Sequence, residues 1–242
     1  MNLSDFSYRF AGGEGSVWCV ELNPAQVHLD LVQAERPKSL RDVVGARLPA
    51  GDYAVINGGF YGRDERPMGW VVARGKQLAP KTRSGGSGIF LLEAENRARI
   101  VHRDAKLPKE LPQLGLQSID RLVDDGSSLV RPRESAPRDA RSAIVVHADG
   151  TVALALAFDT RAVARREGNA IYLGAASSST GLTLGEWADL LARPRGKGGI
   201  GAKTALNLDG GLSSSMLVKL GEFEGAVHPH RATTNALVAV PR

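Results

Sequence analysis

Short apolar runs, many of them alternating with polar residues, recur along the whole chain and predict β-strands. Most of these runs are bounded by turn residues such as Asn-Pro, Arg-Gly and Asp-Gly, which favour hairpins over helical connections. They predict strands at 17–21, 27–32, 53–56, 69–73, 76–78, 88–92, 98–101, 117–123, 142–146, 152–158, 170–173, 205–208, 216–220 and 236–240.

Helical periodicity is confined to residues 39–46 and 184–192. The second of these segments follows a capping box, in which Thr183 and Glu186 can satisfy each other's backbone N–H groups. Strands outnumber helices, and short turns join most neighbouring strands. The pattern therefore predicts a single α+β domain over residues 1–242, with a largely antiparallel, hairpin-linked sheet and a few helices.

Three segments lack a regular period. Residues 107–116 and 131–141 each contain two prolines, so the first is predicted to be a connector and the second, which is basic, an exposed loop. The secondary structure of residues 161–179 is the hardest to predict from the sequence, apart from the strand at 170–173.

Composition narrows the classes of function. The single cysteine, Cys19, excludes an intrachain disulfide framework and a cysteine-rich metal site, and it is predicted to lie in the core. A net charge of +5 is mild for a nucleic-acid binder, and the basic residues do not alternate with aromatic ones, so no nucleic-acid partner is expected.

The hydropathy pattern predicts no membrane span, because no run approaches the ~18 apolar residues that a spanning helix needs. The first residues lack the basic and apolar regions of a signal peptide. Two locations stay open: the cytoplasm, or an extracytoplasmic compartment if a leader normally precedes this sequence.

Two predicted strands end in a polar residue followed by paired glycines. The strand at 205–208 leads into Asp209 and the strand at 53–56 into Asn57. A strand fixes such a side chain in space, and glycines let a substrate approach the backbone closely. The serines after Asp209 can donate hydrogen bonds to an anionic oxygen. The alternative is an ordinary Asp-Gly-Gly turn that only reverses the chain.

Other motifs lack the context that their chemistry requires. Residues 196–201 match G-x-G-x-x-G, but a helix precedes them and a strand follows, the reverse of a dinucleotide site. His228 and His230 have no further ligands at metal-binding spacing and are predicted to be an exposed loop pair. No cofactor and no transition metal are therefore expected, although aspartates could still hold a hard cation.

Five short motifs, in this order and over about residues 17–240, together resemble the phosphodiester glycosidase family, which includes bacterial proteins linked to exopolysaccharide or wall glycopolymers. Two features depart from the family pattern: Leu212 replaces a third glycine, and 163–179 resembles an insertion. The motifs are Asn-Gly-Gly-Phe-Tyr at 57–61, Arg-Ser-Ala-Ile at 141–144, Asp-Thr-Arg at 159–161, Gly-Leu-Thr-Leu at 181–184 and Asn-Leu-Asp-Gly-Gly-Leu-Ser-Ser at 207–214.

The resemblance implies a hydrolase that cleaves a sugar-1-phosphodiester at the anomeric carbon and releases sugar and phosphomonoester. The expected partner is a glycosyl phosphodiester or polysaccharide. A carboxylate must act as nucleophile or base, and Asp209 is the first choice and Asp159 the second. Cations and hydrogen-bond donors must hold the phosphate and the sugar. Arg141 could offer the phosphate a bidentate guanidinium, and Asn57 could bind sugar hydroxyls. The backbone amides of the two Gly-Gly pairs, with the two serines, could hold oxyanions. The predicted substrate-binding residues are Asn57, Gly58, Gly59, Arg141, Gly210, Gly211, Ser213 and Ser214.

Two other functions stay open. The chain could be a non-catalytic glycan-binding or exopolysaccharide-assembly protein on the same fold. It could also be a serine-type hydrolase using Ser213 or Ser214, although G-x-S-x-G is absent. Each candidate residue also has a structural alternative, in which Asn57 and Asp209 only cap turns and Arg141 only pairs with Asp139.

Overall fold

The computed structural model describes residues 1–10, 13–131, 133 and 135–242. Strands dominate the described part of the chain, and two α-helices accompany them. The helices are α1 (Leu40–Val44) and α2 (Leu184–Ala192). The strands are β1 (Asn2–Phe10), β2 (Gly13–Leu22), β3 (Val27–Lys38), β4 (Tyr53–Asn57), β5 (Val71–Ala73), β6 (Lys76–Ala79), β7 (Gly88–Leu92), β8 (Ala98–His102), β9 (Leu114–Ser118), β10 (Arg121–Asp124), β11 (Ser127–Ser128), β12 (Arg141–Val146), β13 (Val152–Asp159), β14 (Val163–Glu167), β15 (Ala170–Leu173), β16 (Thr204–Asn207), β17 (Met216–Leu220), β18 (Phe223–His228) and β19 (Thr233–Pro241).

The strands form three sheets. The first sheet has the order β1-β2-β13-β12-β16-β10-β11, the second β14-β15-β18-β17-β4-β19-β3, and the third β6-β5-β9-β7-β8. All neighbours are antiparallel except β15 and β18, which run parallel. This architecture confirms the predicted α+β class with a largely antiparallel, hairpin-linked arrangement.

A shared apolar core joins the three sheets, and each helix covers an outer face. On β4, Ala54 and Ile56 point into the shared core, while Tyr53 and Val55 point towards α1. Trp187 of α2 is fully buried against the outer face of the first sheet. Strand β4 is therefore buried on both sides, which holds its last residue, Asn57, firmly in place.

Several sequence predictions are confirmed. Helix α2 has the predicted bounds, and its capping box is present at Thr183 and Glu186. Helix α1 begins after Ser39, as predicted, and continues as a 3-10 turn over Gly45–Arg47. The strand expected at 170–173 is β15, and Cys19 is buried. None of the helices in the described ranges is long and apolar enough to cross a membrane.

The strand predicted at 117–123 is wrong, because the chain changes sheet there. Strand β9 belongs to the third sheet and β10 to the first, and Asp120 between them has a left-handed φ of 64°. Strand-forming residues, Ile119 before the turn and Leu122 and Val123 after it, lie on both sides, so periodicity alone could not reveal the break. The connector predicted at 107–116 likewise ends inside β9.

Four strands, β1, β11, β14 and β18, were missed, and one loop was predicted too broadly. Strands β1 and β14 carry many exposed polar residues, so their apolar pattern is weak, and β11 has only two residues. In β18, Glu224 and Gly225 interrupt the apolar pattern. In the predicted loop at 131–141, Pro132 and Glu134 lie outside the described residues. At the end of that loop the prediction is wrong, because Ala140 is fully buried and Arg141 already belongs to β12.

Candidate active site

A cleft of about 440 Å³ opens where β4 and β16 end and β12 begins. Its wall combines carboxylates, guanidinium groups, hydroxyls and an amide with two aromatic rings, a mixture suited to a charged, hydroxyl-rich ligand. The lining residues are Phe60, Tyr61, Asp139, Arg141, Ser178, Asn207, Asp209, Gly210, Gly211, Leu212, Ser213 and Arg231.

The two strand-Gly-Gly stretches meet directly at Asp209. The Asp209 backbone N–H donates to the Gly58 carbonyl at 3.0 Å. The Asn57 Nδ2 donates to the Asp209 carbonyl at 2.6 Å. The end of β4 therefore fixes the backbone from which the Asp209 carboxyl projects into the cleft.

The Asn57 side chain is a positioning group and does not reach the cleft. It is fully buried, and its Oδ1 accepts from the Ser142 Oγ at 2.8 Å and from the Ser215 N–H at 3.0 Å. Together with the bond to Asp209, these contacts occupy both ends of the amide. The predicted contact between Asn57 and sugar hydroxyls therefore does not fit the structure.

Burial raises the pKa of the Asp209 carboxyl to about 6, against a usual value of 3.8. Hydrogen bonds from the Ser213 hydroxyl and the Gly210 N–H act in the opposite direction, and the second of these measures 2.9 Å. No arginine or lysine within the described ranges lies within 4 Å of this carboxyl. Asp209 thus changes its charge near pH 6.

Arg141 presents one corner of its guanidinium to the cleft. Its Nε donates to the Leu182 carbonyl at 2.9 Å, and its Nη2 contacts the Pro137 carbonyl at 3.0 Å and the Asp139 carboxylate at 3.2 Å. Among the described atoms, none accepts a hydrogen bond from Nη1. The expected pairing with Asp139 therefore coexists with one guanidinium nitrogen, Nη1, that has no acceptor among the described residues. Because Nε and Nη2 are occupied, the predicted bidentate contact would require these bonds to break.

The Gly58 and Gly59 amides are not free to bind an oxyanion. The Gly58 N–H donates to the Asn235 carbonyl at 2.8 Å, and the Gly59 N–H donates to the Asn235 Oδ1 at 2.7 Å. A Cβ at Gly58 would collide with the same Asn235 oxygen. Glycine is needed at Gly58 for close approach of β19, and not for contact with substrate.

The amides after Asp209 are also occupied. The Gly210 N–H donates to the Asp209 carboxylate, and the Gly211 N–H donates to the Ala140 carbonyl at 2.7 Å. Gly211 has a left-handed φ of 58°, which a side chain would strain. These glycines line the cleft and shape the turn, but the predicted oxyanion contacts from their amides do not fit.

The two serines differ in position. Ser213 lines the cleft beside Asp209, and its hydroxyl lowers the pKa of that carboxyl. Ser214 is fully buried, does not line the cleft, and its Oγ has no partner among the described residues. No histidine of the described chain lines the cleft, so neither serine has the base that a serine hydrolase requires.

The predicted histidine pair is partly wrong. His228 ends β18 and stacks on the Tyr172 ring, with the ring centres 4.5 Å apart, and only His230 is exposed. In the described part of the chain, no three His, Cys, Asp or Glu side chains group as metal ligands would. The expectation of no transition metal stays a prediction.

Asp159 lies outside the cleft. Its carboxylate is fully buried and pairs with Arg161 at 2.6 Å, and it also caps the 3-10 turn Thr160–Ala162. Burial raises its pKa, but the hydrogen bonds and charge of Arg161 outweigh this and leave the pKa below the usual range. A carboxylate held in this way is suited to capping a turn.

Sequence reasoning missed three polar residues at the cleft, Arg231, Asn207 and Ser178. Arg231 follows β18, and its backbone N–H donates to the Leu212 carbonyl at 2.8 Å, while its side chain has no carboxylate within 4 Å in the described structure. Asn207 belongs to the same motif as Asp209, and that shared motif could have indicated that Asn207 lies at the site. Ser178 comes from the segment resembling an insertion, so that segment forms part of the wall.

Residues 50–240 match the family model described as phosphodiester glycosidase. The chain belongs to the phosphodiester glycosidase family. The match includes all five motifs that carried the resemblance and confirms it. No curated protein matches the sequence.

Solved structures share the fold of this member of the phosphodiester glycosidase family at low identity. The catalytic domain of zebrafish N-acetylglucosamine-1-phosphodiester alpha-N-acetylglucosaminidase, auto-inhibited by its pro-peptide, aligns with a TM-score of 0.67 at 16% identity, over 99% of this chain and 84% of that one. A hypothetical protein from Synechocystis aligns with a TM-score of 0.59 at 18% identity, over 98% of this chain and 62% of that one. A protein described as exported, from Burkholderia pseudomallei K96243, aligns with a TM-score of 0.55 at 16% identity, over 95% of this chain and 74% of that one.

Proposed function

We propose that the protein hydrolyses the bond between the anomeric carbon of a sugar and the phosphate of a sugar-1-phosphodiester. One observation carries this proposal: the Asp209 carboxyl and the Arg141 and Arg231 guanidinium groups line the same cleft without pairing with each other. Because the carboxyl and the guanidinium groups do not form ion pairs with each other, each can contact a different part of the substrate.

Glycosidic cleavage needs this separation of charge. The sugar develops positive, oxocarbenium-like charge at the anomeric carbon, and a nearby carboxylate stabilises it, as nucleophile or as base for water. The departing phosphate keeps its negative charge, and the guanidinium groups stabilise that charge. Phosphate is a good leaving group, so strong help from a general acid is less important. In this assignment Asp209 is the catalytic carboxylate, and Arg141 and Arg231 bind the phosphate.

The sugar proposed first is an N-acetylhexosamine. The support is the name of the zebrafish relative, which acts on an N-acetylglucosamine-1-phosphodiester and shares this fold. A bacterial exopolysaccharide or wall glycopolymer is the proposed natural source of such a linkage, because the family includes proteins linked to these polymers.

The test is an assay on a panel of synthetic sugar-1-(methyl phosphate) diesters that includes N-acetylglucosamine. Release of free sugar and methyl phosphate in equal amounts would support the proposal. Binding without turnover across the panel would favour a glycan-binding protein. Covalent labelling of Ser213 by a serine-reactive phosphonate, with loss of turnover, would favour a serine-type hydrolase.

The pH profile is expected to follow the ionisation of Asp209. The carboxylate must be charged to act as nucleophile or base, so kcat/KM should rise with pH and level off above an apparent pKa of about 6. The substrate phosphodiester stays ionised throughout this range and adds no slope. A flat profile between pH 4.5 and 7.5 would contradict the role given to Asp209.

Replacing Arg141 with Lys is expected to lower kcat/KM by roughly 10–100-fold although the charge is kept. A lysine nitrogen cannot reach Leu182, Pro137 and Asp139 and still offer a donor to the phosphate. The measurement is steady-state turnover, with thermal unfolding on the same sample. The matched control is Arg161→Lys, which changes an ion pair outside the cleft. Equal activity of the two variants would remove Arg141 from the phosphate site.

A further inference from the structure

The side chain of Asn207 ends in an oxygen that lacks a hydrogen-bond partner. Asn207 is only 4% exposed, yet it lines the cleft, and no described residue donates to its Oδ1. A buried acceptor without a donor is unfavourable, and most such groups in native proteins are paired. The structure therefore keeps an unsatisfied acceptor at the wall of the candidate active site.

The backbone around Asn207 leaves this side chain little freedom to find a partner elsewhere. The Asn207 N–H donates to the Asp120 carbonyl at 3.0 Å, and Asn207 pairs with Ala143 across β12 and β16. The next residue, Leu208, continues the ladder with a bond to the Ser142 carbonyl at 2.9 Å. The strand thus holds the Asn207 amide in its position at the cleft.

Asn207 ends β16, and Asp209 follows it two residues later in a bend of the chain. Residues two apart in sequence lie at most about 7 Å apart along the chain. That spacing is close to the width of one sugar ring. A ring whose anomeric carbon lies at Asp209 therefore brings its far polar groups near Asn207.

The missing partner of an amide oxygen must be a hydrogen-bond donor. The phosphate of a phosphodiester is ionised and offers only acceptors, whereas a sugar offers hydroxyl groups and, in an N-acetylhexosamine, an amide N–H. We propose that Asn207 is a substrate-binding residue that accepts a hydrogen bond from the sugar. The sugar ring then lies in the deep, inner part of the cleft. The phosphate then lies towards the exposed Arg231. This orientation rests on the function proposed above.

Two substitutions at Asn207 separate loss of the acceptor from loss of shape. Asn207→Leu keeps the size and removes every polar atom, and it should fold at least as well because no buried acceptor is left unpaired. Asn207→Asp keeps an acceptor oxygen in place and adds a negative charge. Binding is measured by ligand-observed NMR and calorimetry with three probes: free N-acetylglucosamine, its 1-(methyl phosphate) diester and dimethyl phosphate.

The expected result is a loss of roughly 10–100-fold in affinity of Asn207→Leu for both sugar-containing probes, with no change for dimethyl phosphate. Asn207→Asp should recover binding of the free sugar but not of the diester. A folded Asn207→Leu variant that binds free sugar like the parent would overturn the proposal, and so would a parent protein that binds no sugar. Parental sugar binding that depends on Asn207, without any hydrolysis of the diester, would uphold this proposal and contradict only the proposed hydrolysis.

Discussion

Replacing Asp209 with Asn is expected to reduce turnover by at least ~10²-fold and, at neutral pH, to raise the unfolding temperature. The amide keeps the size of the side chain and can still accept from the Gly210 N–H. It cannot act as nucleophile or base. A residue that only closed a turn would accept this change, because Asn and Asp both favour such turns.

The gain in stability follows from the raised pKa of Asp209. At pH 7.5 the folded protein holds a carboxylate whose pKa is about 6, whereas the unfolded chain ionises the same group near 3.8. A raised carboxyl pKa lowers stability as pH rises from about 4 to about 6, and the full loss remains above that range. The shift in the pKa of Asp209 corresponds to roughly 1–3 kcal/mol in the free energy of unfolding. For a chain of this size, that is about 2–10 °C in unfolding temperature.

The effect on stability should therefore depend on pH. Thermal unfolding of the parent and of Asp209→Asn is compared at two pH values. The variant's gain in unfolding temperature should be small at pH 4 and large at pH 7.5. The control is Asp104→Asn, an exposed carboxylate outside the cleft, which should change neither turnover nor unfolding temperature. A folded Asp209→Asn variant with near-parental turnover would refute the catalytic assignment.

The sequence predicted the elements of the fold better than the contacts between them. Helix α2 and the strands that lead into Asn57 and Asp209 follow from local periodicity and capping. The change of sheet at Asp120 does not, because strand-forming residues lie on both sides of it and no glycine or proline marks the left-handed turn. Local patterns report which residues form strands, whereas tertiary packing decides which sheet each strand joins.

The same limit applies to the candidate site. The chain motifs placed Asp209 and Arg141 at the cleft, but the donors predicted from Gly58 and Gly59 are occupied by Asn235, which lies 176 residues away from Gly59. Arg231 was missed because no motif surrounds it, and only the loop after β18 brings it to the cleft. Which hydrogen bonds remain free for a substrate depends on partners distant in sequence, and local reasoning cannot identify them.

Replacing Asn57 with Ala is expected to reduce both stability and turnover. The change leaves the Ser142 hydroxyl, the Ser215 N–H and the Asp209 carbonyl without their partner in a fully buried position. Unpaired buried groups and the cavity together should lower the free energy of unfolding by about 2–4 kcal/mol. Turnover should fall as well, because the backbone of Asp209 loses its anchor to β4.

Loss of stability alone does not distinguish positioning from a general structural role, so the control is a second buried amide. Gln117 bonds to Trp70, Thr82 and Gly86 in and around the third sheet and does not line the cleft. Gln117→Ala should unfold at a similarly reduced temperature but keep the parental kcat per folded molecule. Asn57→Ala, assayed well below its unfolding temperature, should show a lower kcat and an altered pH profile. If both variants keep parental kcat, Asn57 only stabilises the fold, and the position of Asp209 is set by the Gly58 carbonyl and β16.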